Sequence, residues 1–140
     1  MSNQLQPFHL AFPILDIEDT RTFYRDVLNC EIGRESERWI DFNFFGHQLS
    51  AHKVEKMPDV PHNEVDGKQV PVTHFGIILE GTVWEALHQR LKTLNVPFII
   101  EPYLRFAGEI GEQGTFFILD PAGNGLEFKT FKSEEMIFQK

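Results

Sequence analysis

The sequence contains a single cysteine, Cys30, in 140 residues, so no disulfide can form within the chain. We therefore expect a cytoplasmic protein, because a reducing compartment suits a chain without disulfides. No apolar run approaches the roughly 20 residues that a membrane-spanning helix needs, so no membrane partner is expected. Residues 1–7 also lack the basic and apolar stretches of a secretory signal. Cys30 follows a predicted helix, where a packing role is expected rather than that of a nucleophile.

Clustered basic residues are missing as well. The 13 Lys and Arg residues are outnumbered by 21 Asp and Glu residues, which gives a formal net charge of −8. Because nucleic-acid binding needs clustered cations, we expect no nucleic-acid partner and favour a small-molecule substrate. Tyr and Trp are also scarce, with two of each against 14 Phe, so the core should consist largely of rings without hydroxyl groups.

Two segments of the chain follow one pattern. His9 lies near the start of a strand-like segment with alternating apolar residues, and His74 lies at the matching point of a second such segment. A helix is predicted after each segment. We expect Asp19 to cap the first helix and residues 82–85 to form a capping box for the second. Asn29 and Asn95 stand where a left-handed residue would end each helix.

Three strand-like runs follow each predicted helix, near residues 31–34, 39–44 and 48–54 in the first half and 98–100, 115–119 and 126–131 in the second. The intervening residues 55–71 are rich in Pro and Gly and are predicted to be a linker. The pattern therefore predicts an α+β fold made of two βαβββ modules. Module one covers about residues 8–54 and module two about 72–131, within a single domain of residues 1–140.

Alternation along the strands predicts which side chains share a face. His9 lies on the face opposite the apolar residues of its strand, as does His74, and Glu127 lies on the polar face of the last strand. Small residues lie two positions from each of them, which leaves space for a pocket. A single strand histidine is more often structural than a ligand, and a single glutamate is more often solvated. The matching positions of the two histidines favour a shared metal site.

These residues resemble those of a known family. The similarity includes His9, the segment Phe23–Leu28, His74 and the run from Asp120 to Glu127, which reads Asp-Pro-Ala-Gly-Asn-Gly-Leu-Glu. In these features the chain resembles the vicinal oxygen chelate superfamily of glyoxalases, bleomycin resistance proteins and extradiol dioxygenases. The resemblance implies a cup-shaped mixed sheet around one divalent metal ion bound by His9, His74 and Glu127. It also implies a homodimer, in which the cup closes within one chain or across two.

Ser50 aligns with Glu127, at the position where glyoxalase-like isomerases have a fourth protein ligand. Two histidines and one carboxylate leave about half of an octahedral shell open, which suits iron(II) or manganese(II), with nickel(II) and zinc(II) as alternatives. The first interpretation is therefore a dioxygenase-like oxidoreductase whose substrate chelates the metal through two oxygens. The alternatives are a metal-dependent lyase, isomerase or thiol transferase, and a metal-free protein that binds a drug or metabolite.

Other residues are candidates for catalysis and substrate binding. His52 shares a face with Ser50 and could be a fourth ligand or an acid–base group. Residues 101–109 interrupt the strand pattern and are predicted to form a loop, in which Tyr103 could donate a proton and Arg105 could bind a substrate carboxylate. The alternatives are that Tyr103 only packs and that Arg105 pairs with Glu101 or Glu109.

Two further positions bear on the reaction class. Phe117 stands where extradiol dioxygenases of this superfamily usually have a tyrosine, and residues 107–112 lack the histidine expected shortly upstream.

Lys129 lies on the same strand face as Glu127, so it should lie at the rim of the pocket or pair with an acid.

Overall fold

A computed structural model of the chain describes residues 4–140. The described residues form two compact units, one ending at Pro58 and the other beginning at Asp59. The boundary falls inside the segment that the sequence predicts as a linker. No helix within residues 4–140 is long and apolar enough to cross a membrane.

The first unit contains one four-stranded sheet and one helical segment. Its elements are β1 (His9–Ile14), α1 (Ile17–Arg21) continuing into a π-helical turn (Thr22–Val27), β2 (Glu31–Glu35), β3 (Trp39–Phe44) and β4 (His47–Lys53). The strand order is β1-β4-β3-β2, in which β1 and β4 are parallel and the other pairs are antiparallel.

The second unit repeats this arrangement and adds a hairpin before it. Its elements are β5 (His62–Val65), β6 (Lys68–Pro71), β7 (His74–Ile78), α2 (Gly81–Thr93), β8 (Ile100–Arg105), β9 (Gln113–Leu119), β10 (Gly125–Phe131) and a 3₁₀ turn (Glu134–Ile137). The sheet order is β7-β10-β9-β8, with β7 parallel to β10. The predicted α+β class and the two βαβββ modules are therefore confirmed.

Each sheet has one face covered by its helix. In the first unit Tyr24 stacks on Phe42 with ring centroids 5.0 Å apart, and both side chains are buried. In the second unit Trp84 of α2 packs on Phe116 and donates a hydrogen bond from its indole nitrogen to the Phe128 carbonyl, 2.9 Å away. The opposite side of each sheet, which no helix covers, is called its open face below, although in the second unit Val70 of the hairpin packs on it against Phe117. The open face carries the alternate residues of the same strands.

The helix termini differ in part from the prediction. Asp16, not Asp19, caps α1, because its carboxylate accepts a hydrogen bond of 2.8 Å from the Asp19 backbone N–H. The predicted capping box is wrong, since α2 begins after Glu80 without a side-chain cap. Asn29 and Asn95 both have φ of 58°, which confirms the two predicted left-handed positions.

Two segments expected to lack regular structure contain strands. The predicted linker contains the β5–β6 hairpin, whose turn residues Asp66 and Gly67 have φ of 47° and 83°. An Asp-Gly pair with positive φ is typical of a two-residue hairpin turn. The predicted loop at 101–109 is strand β8 as far as Arg105. A register shift between Ile100 and Tyr103 accommodates Pro102, which breaks the alternation in the sequence.

Candidate functional site

The two histidines occupy equivalent positions in their sheets. His9 pairs with Gln48 across the parallel strands β1 and β4, and His74 pairs with Gly125 across β7 and β10. Two residues further on, Ala11 pairs with Ser50 and Gly76 pairs with Glu127. Ser50 therefore takes, in the first unit, the position that Glu127 takes in the second.

The His74 ring is held in one orientation by its neighbours. Its Nδ1 atom lies 2.8 Å from the Pro71 carbonyl oxygen at the end of the hairpin, and its ring packs edge-on against Phe117 with centroids 4.9 Å apart. A carbonyl can only accept a hydrogen bond, so Nδ1 carries the proton of the neutral ring. The lone pair is then on Nε2, as in a metal-binding histidine oriented by a backbone carbonyl.

Glu127 presents its carboxylate to this nitrogen. Its Oε1 atom lies 3.3 Å from His74 Nε2, and its Oε2 atom accepts a hydrogen bond of 2.5 Å from the Thr115 hydroxyl. Two lone-pair atoms this close repel each other unless a proton or a metal ion lies between them. Ligand atoms at right angles, each about 2.1 Å from one ion, would be roughly 3 Å apart. The nitrogen and oxygen donors of this pair therefore fit one divalent metal ion.

Glycines permit the close approach of strands at this point. A Cβ atom on Gly76 would lie 1.5 Å from the Glu127 carbonyl oxygen, so no larger residue fits between β7 and β10. A Cβ atom on Gly125 would lie 3.1 Å from the Pro71 ring and 3.2 Å from His74 Cβ. The sequence predicted space beside the imidazole. The structure adds a second reason why position 76 must be glycine, which is the close approach of the Glu127 backbone.

The turn before β10 fixes where Glu127 emerges. The Asp120 carboxylate accepts hydrogen bonds from the backbone N–H groups of Ala122 and Asn124, at 3.0 and 2.8 Å, and one from the Asn124 side chain at 2.9 Å. Gly123 has φ of 92° within the same turn. The Asp-Pro motif is therefore a tight turn that delivers Glu127 two residues into the strand.

The first unit contains the other predicted residues and one that was not predicted. His9 and His52 are exposed on the open face of its sheet. Ser50 is buried, and its hydroxyl donates a hydrogen bond of 2.6 Å to the carboxylate of Asp41 on β3. Asp41 was missed, although it is the polar member of an alternating segment, because a single acid on a strand gives no sign of its partner.

The structure leaves the complete ligand set as a prediction. His74 and Glu127 are brought together in the second unit, whereas His9 and His52 belong to the first. Among residues 4–140, no group of three or more His, Cys, Asp and Glu side chains is assembled as a metal-ligand set.

Tyr103 and Arg105 lie on the open face of the second unit, since they pair with Thr115 and Gln113. The Arg105 Nε atom lies 3.0 Å from the carboxylate of Asp66 at the hairpin turn, and the Tyr103 hydroxyl donates a hydrogen bond to the same oxygen. The partner of Arg105 is therefore Asp66, not Glu101 or Glu109.

Lys129 and Cys30 have contrasting environments. The Lys129 ammonium lies 5.5 Å from the centre of the Phe131 ring, and within residues 4–140 no acidic side chain pairs with it. Burial raises the pKa of the Cys30 thiol to about 12, which fits a packing role and not that of a nucleophile.

Comparison with known proteins places this fold in a family. The profile of the Glyoxalase/Bleomycin resistance protein/Dioxygenase superfamily matches residues 6–128. Metallothiol transferase FosB from Staphylococcus saprophyticus is 29% identical over 122 residues, which cover 87% of this chain and 74% of FosB.

Two solved structures have the same fold. The crystal structure of a glyoxalase/bleomycin resistance protein/dioxygenase from Alicyclobacillus acidocaldarius is 32% identical, with a TM-score of 0.81 over 99% of this chain and 100% of that one. The fosfomycin resistance protein FosX from Listeria monocytogenes is 16% identical, with a TM-score of 0.69 over 98% and 100% of the two chains. The chain therefore belongs to the glyoxalase, bleomycin resistance protein and dioxygenase superfamily.

Proposed function

We propose that the chain is a divalent-metal-dependent enzyme in which His9, His74 and Glu127 bind one metal ion. The observation that carries the proposal is the pairing of His74 Nε2 with the Glu127 carboxylate at 3.3 Å, with Nδ1 held by the Pro71 carbonyl. His9 occupies the equivalent strand position in the first unit and supplies the third ligand. The substrate is a small molecule that chelates the metal through two oxygens.

The reaction we propose is the addition of a nucleophile to a metal-bound electrophile. This differs from the dioxygenase interpretation that the sequence first favoured. Support comes from the 29% identity with a metallothiol transferase over most of this chain. It also comes from Phe117, which packs against His74 and has no hydroxyl group to exchange protons with a bound catechol. A thiol is the nucleophile that this relative suggests.

The atoms of such a step balance without an oxidant. The carbon–sulfur bond forms, a carbon–oxygen bond of the substrate breaks, and the proton lost by the thiol is taken by the released oxygen. A bound divalent metal polarises the chelating oxygens as a Lewis acid. Manganese(II) is our first choice for this oxygen-rich shell. Iron(II), nickel(II) and zinc(II) are the metals to compare with it.

The protein's own residues would manage protons and charge. His52 is exposed on the open face of the first unit, where its imidazole would act as a general acid or base. Tyr103 already acts as a hydrogen-bond donor to a carboxylate, Asp66, and could donate to a substrate oxygen in the same way. Arg105 would hold a carboxylate group of one of the two substrates.

A homodimer is part of the proposal. The strand that carries His9 begins beside Phe8, whose side chain is 64% exposed, and Ala11 on the same strand is also exposed. Covering this surface with a second copy of the chain would bury its apolar area. His9 would then complete the metal site of the same chain or of its partner.

The reaction class is tested by measuring the consumption of a thiol and the consumption of oxygen in separate assays. Protein purified without affinity metal or chelator is loaded anaerobically with manganese(II) or iron(II). It is then given fosfomycin with a low-molecular-weight thiol, or oxygen with a panel of catechols, 2-hydroxy acids and 2-oxo acids. We expect manganese-dependent loss of thiol and no oxygen uptake. Oxygen uptake with iron(II) and no thiol consumption would restore the dioxygenase interpretation.

A further inference from the structure

The open face of the second sheet has a polar row next to the metal-ligand row. The strand register places Lys129, Thr115 and Tyr103 side by side, and the next row contains Gln113 and Arg105. Residues two positions apart on a strand are about 7 Å apart, so the Lys129 row lies about that far from Glu127. A group bound at this row is therefore distinct from the group that chelates the metal.

Two cations on this face have different partners. Lys129 has no acidic partner within the described residues and is only partly exposed. Arg105 has Asp66, whose carboxylate also accepts the hydrogen bond from Tyr103. Asp66 thus shows that a carboxylate on this face is bound by one guanidinium group and one phenol hydroxyl. An ammonium in the adjacent row has no counterion.

A buried acceptor in the same rows also lacks a partner. Gln113 is nine-tenths buried, its side-chain nitrogen donates to the Gly111 carbonyl at 3.3 Å, and its side-chain oxygen has no hydrogen-bond donor. Buried acceptors are rarely left without a donor. The atom is enclosed, so a donor brought by a ligand reaches it only after a covering group moves. Arg105 is the cross-strand neighbour of Gln113 and is bound by Asp66, so release of Arg105 from Asp66 is the movement we infer.

We propose that Arg105, Tyr103 and Lys129 form a subsite for a carboxylate that carries a nearby N–H donor, and that Asp66 occupies this subsite in the free protein. The external carboxylate replaces that of Asp66, and Gln113 accepts the hydrogen bond from its N–H group. The identity of this ligand as a second substrate rests on the proposed function. The subsite itself needs no metal.

The experiment measures carboxylate binding to metal-free protein by NMR titration at constant ionic strength. The probes are 4-oxopentanoate and 4-amino-4-oxobutanoate, which have the same charge and differ in that an amide NH2 group replaces a methyl group. We expect 4-amino-4-oxobutanoate to bind more tightly, with shifts confined to β8, β9, β10 and the hairpin turn. Gln113→Met should remove its advantage over 4-oxopentanoate without abolishing the binding of either probe.

Charge variants test whether the Asp66 carboxylate competes with the added carboxylate for the subsite. Asp66→Asn should tighten binding about fivefold, because it removes the competing charge and asparagine also tolerates a positive φ. Arg105→Gln and Lys129→Gln should each weaken binding about fivefold. Lys92→Gln makes the same charge change as Lys129→Gln at an exposed site on α2 and should leave binding unchanged.

Equal affinities in wild type, Arg105→Gln and Lys129→Gln would overturn the proposal. So would an Asp66→Asn protein with an intact hairpin and no tighter binding, since Asp66 would then be only a structural contact. If Asp66→Asn unfolds the hairpin, the Arg105 and Lys129 variants decide the question alone. Because all titrations use metal-free protein, failure of the subsite is distinguishable from failure of the metal assignment.

Discussion

His74 and Glu127 come from the parallel strands β7 and β10, and their Nε2 and Oε1 atoms lie 3.3 Å apart. Each side chain is fixed at its other end, His74 by the Pro71 carbonyl and Glu127 by the Thr115 hydroxyl. This arrangement is already oriented for a ligand pair, so its supporting contacts should affect metal affinity.

Thr115 is the contact that can be changed with least disturbance. Thr115→Val keeps the shape of the side chain and removes the hydrogen bond to Glu127. We expect metal affinity to fall about tenfold, because groups that orient a ligand typically contribute 10- to 100-fold. Thr115→Ser retains the hydroxyl and should bind metal within about threefold of wild type. Competition with a chromogenic chelator measures both. Equal affinity of the valine and serine variants would show that the hydroxyl does not support a metal ligand.

Ser50 tests the equivalence of the two sheets. Ser50→Glu places a carboxylate at the position that Glu127 occupies in the second unit, next to the strand of His9. Asp41 now accepts a hydrogen bond from Ser50, so a glutamate there would be repelled by Asp41 and directed away from it. We expect more metal retained on dialysis and lower turnover, because an open coordination position is filled. Unchanged retention and turnover would mean that position 50 does not face the metal.

Gly76 is expected to be essential for the second sheet. Gly76→Ala brings a methyl group within 1.5 Å of the Glu127 carbonyl oxygen if nothing moves. The strands must separate, so we expect the free energy of unfolding to fall by more than about 3 kcal/mol, or the protein not to fold. Ala11 is the equivalent residue of the first sheet and has room for its methyl group, so Ala11→Gly should lose only about 1 kcal/mol. Urea unfolding of both variants measures the difference, and a stable Gly76→Ala protein would contradict the strand spacing.

Mixing two inactive variants shows where the metal site closes. His9→Ala and His74→Ala subunits would each lack one of the proposed metal ligands. If the site forms across two chains, a mixed dimer contains one site with both substitutions and one intact site. Random pairing makes about half of the dimers mixed, so about a quarter of all metal sites should return in an equimolar mixture. If the site forms within one chain, no intact site exists in the mixture. Metal content after co-refolding measures this, and a monomer by sedimentation would contradict the proposed homodimer.

The strands of both sheets could be predicted because their side chains alternate and the two halves support each other. Asn29 and Asn95 were predictable for a local reason, since asparagine tolerates positive φ. The hairpin was missed because its strands are short and mostly polar. An Asp-Gly pair is also common in irregular loops, so by itself it does not identify a hairpin.

Contacts across strands could not be read from the sequence. The Ser50–Asp41 hydrogen bond depends on the register of β3 and β4, and the Arg105–Asp66 contact depends on how the hairpin lies on β8. Pro102 hid the strand that carries Tyr103 and Arg105, because a bulge shifts the alternation by a residue. The residue types of the candidate site could be predicted from the sequence. Their hydrogen-bond and ion-pair partners could not, because these depend on the register of the strands.

Metal content tests the central assignment most directly. Wild-type protein, His74→Ala and His62→Ala are purified without affinity metal or chelator, loaded with manganese(II), desalted and measured by elemental analysis. His62 is an exposed histidine of the hairpin and serves as the matched control. We expect one metal ion per chain in wild type and His62→Ala, and none in a folded His74→Ala protein. Equal metal content in all three would contradict the assignment of His74 as a metal ligand.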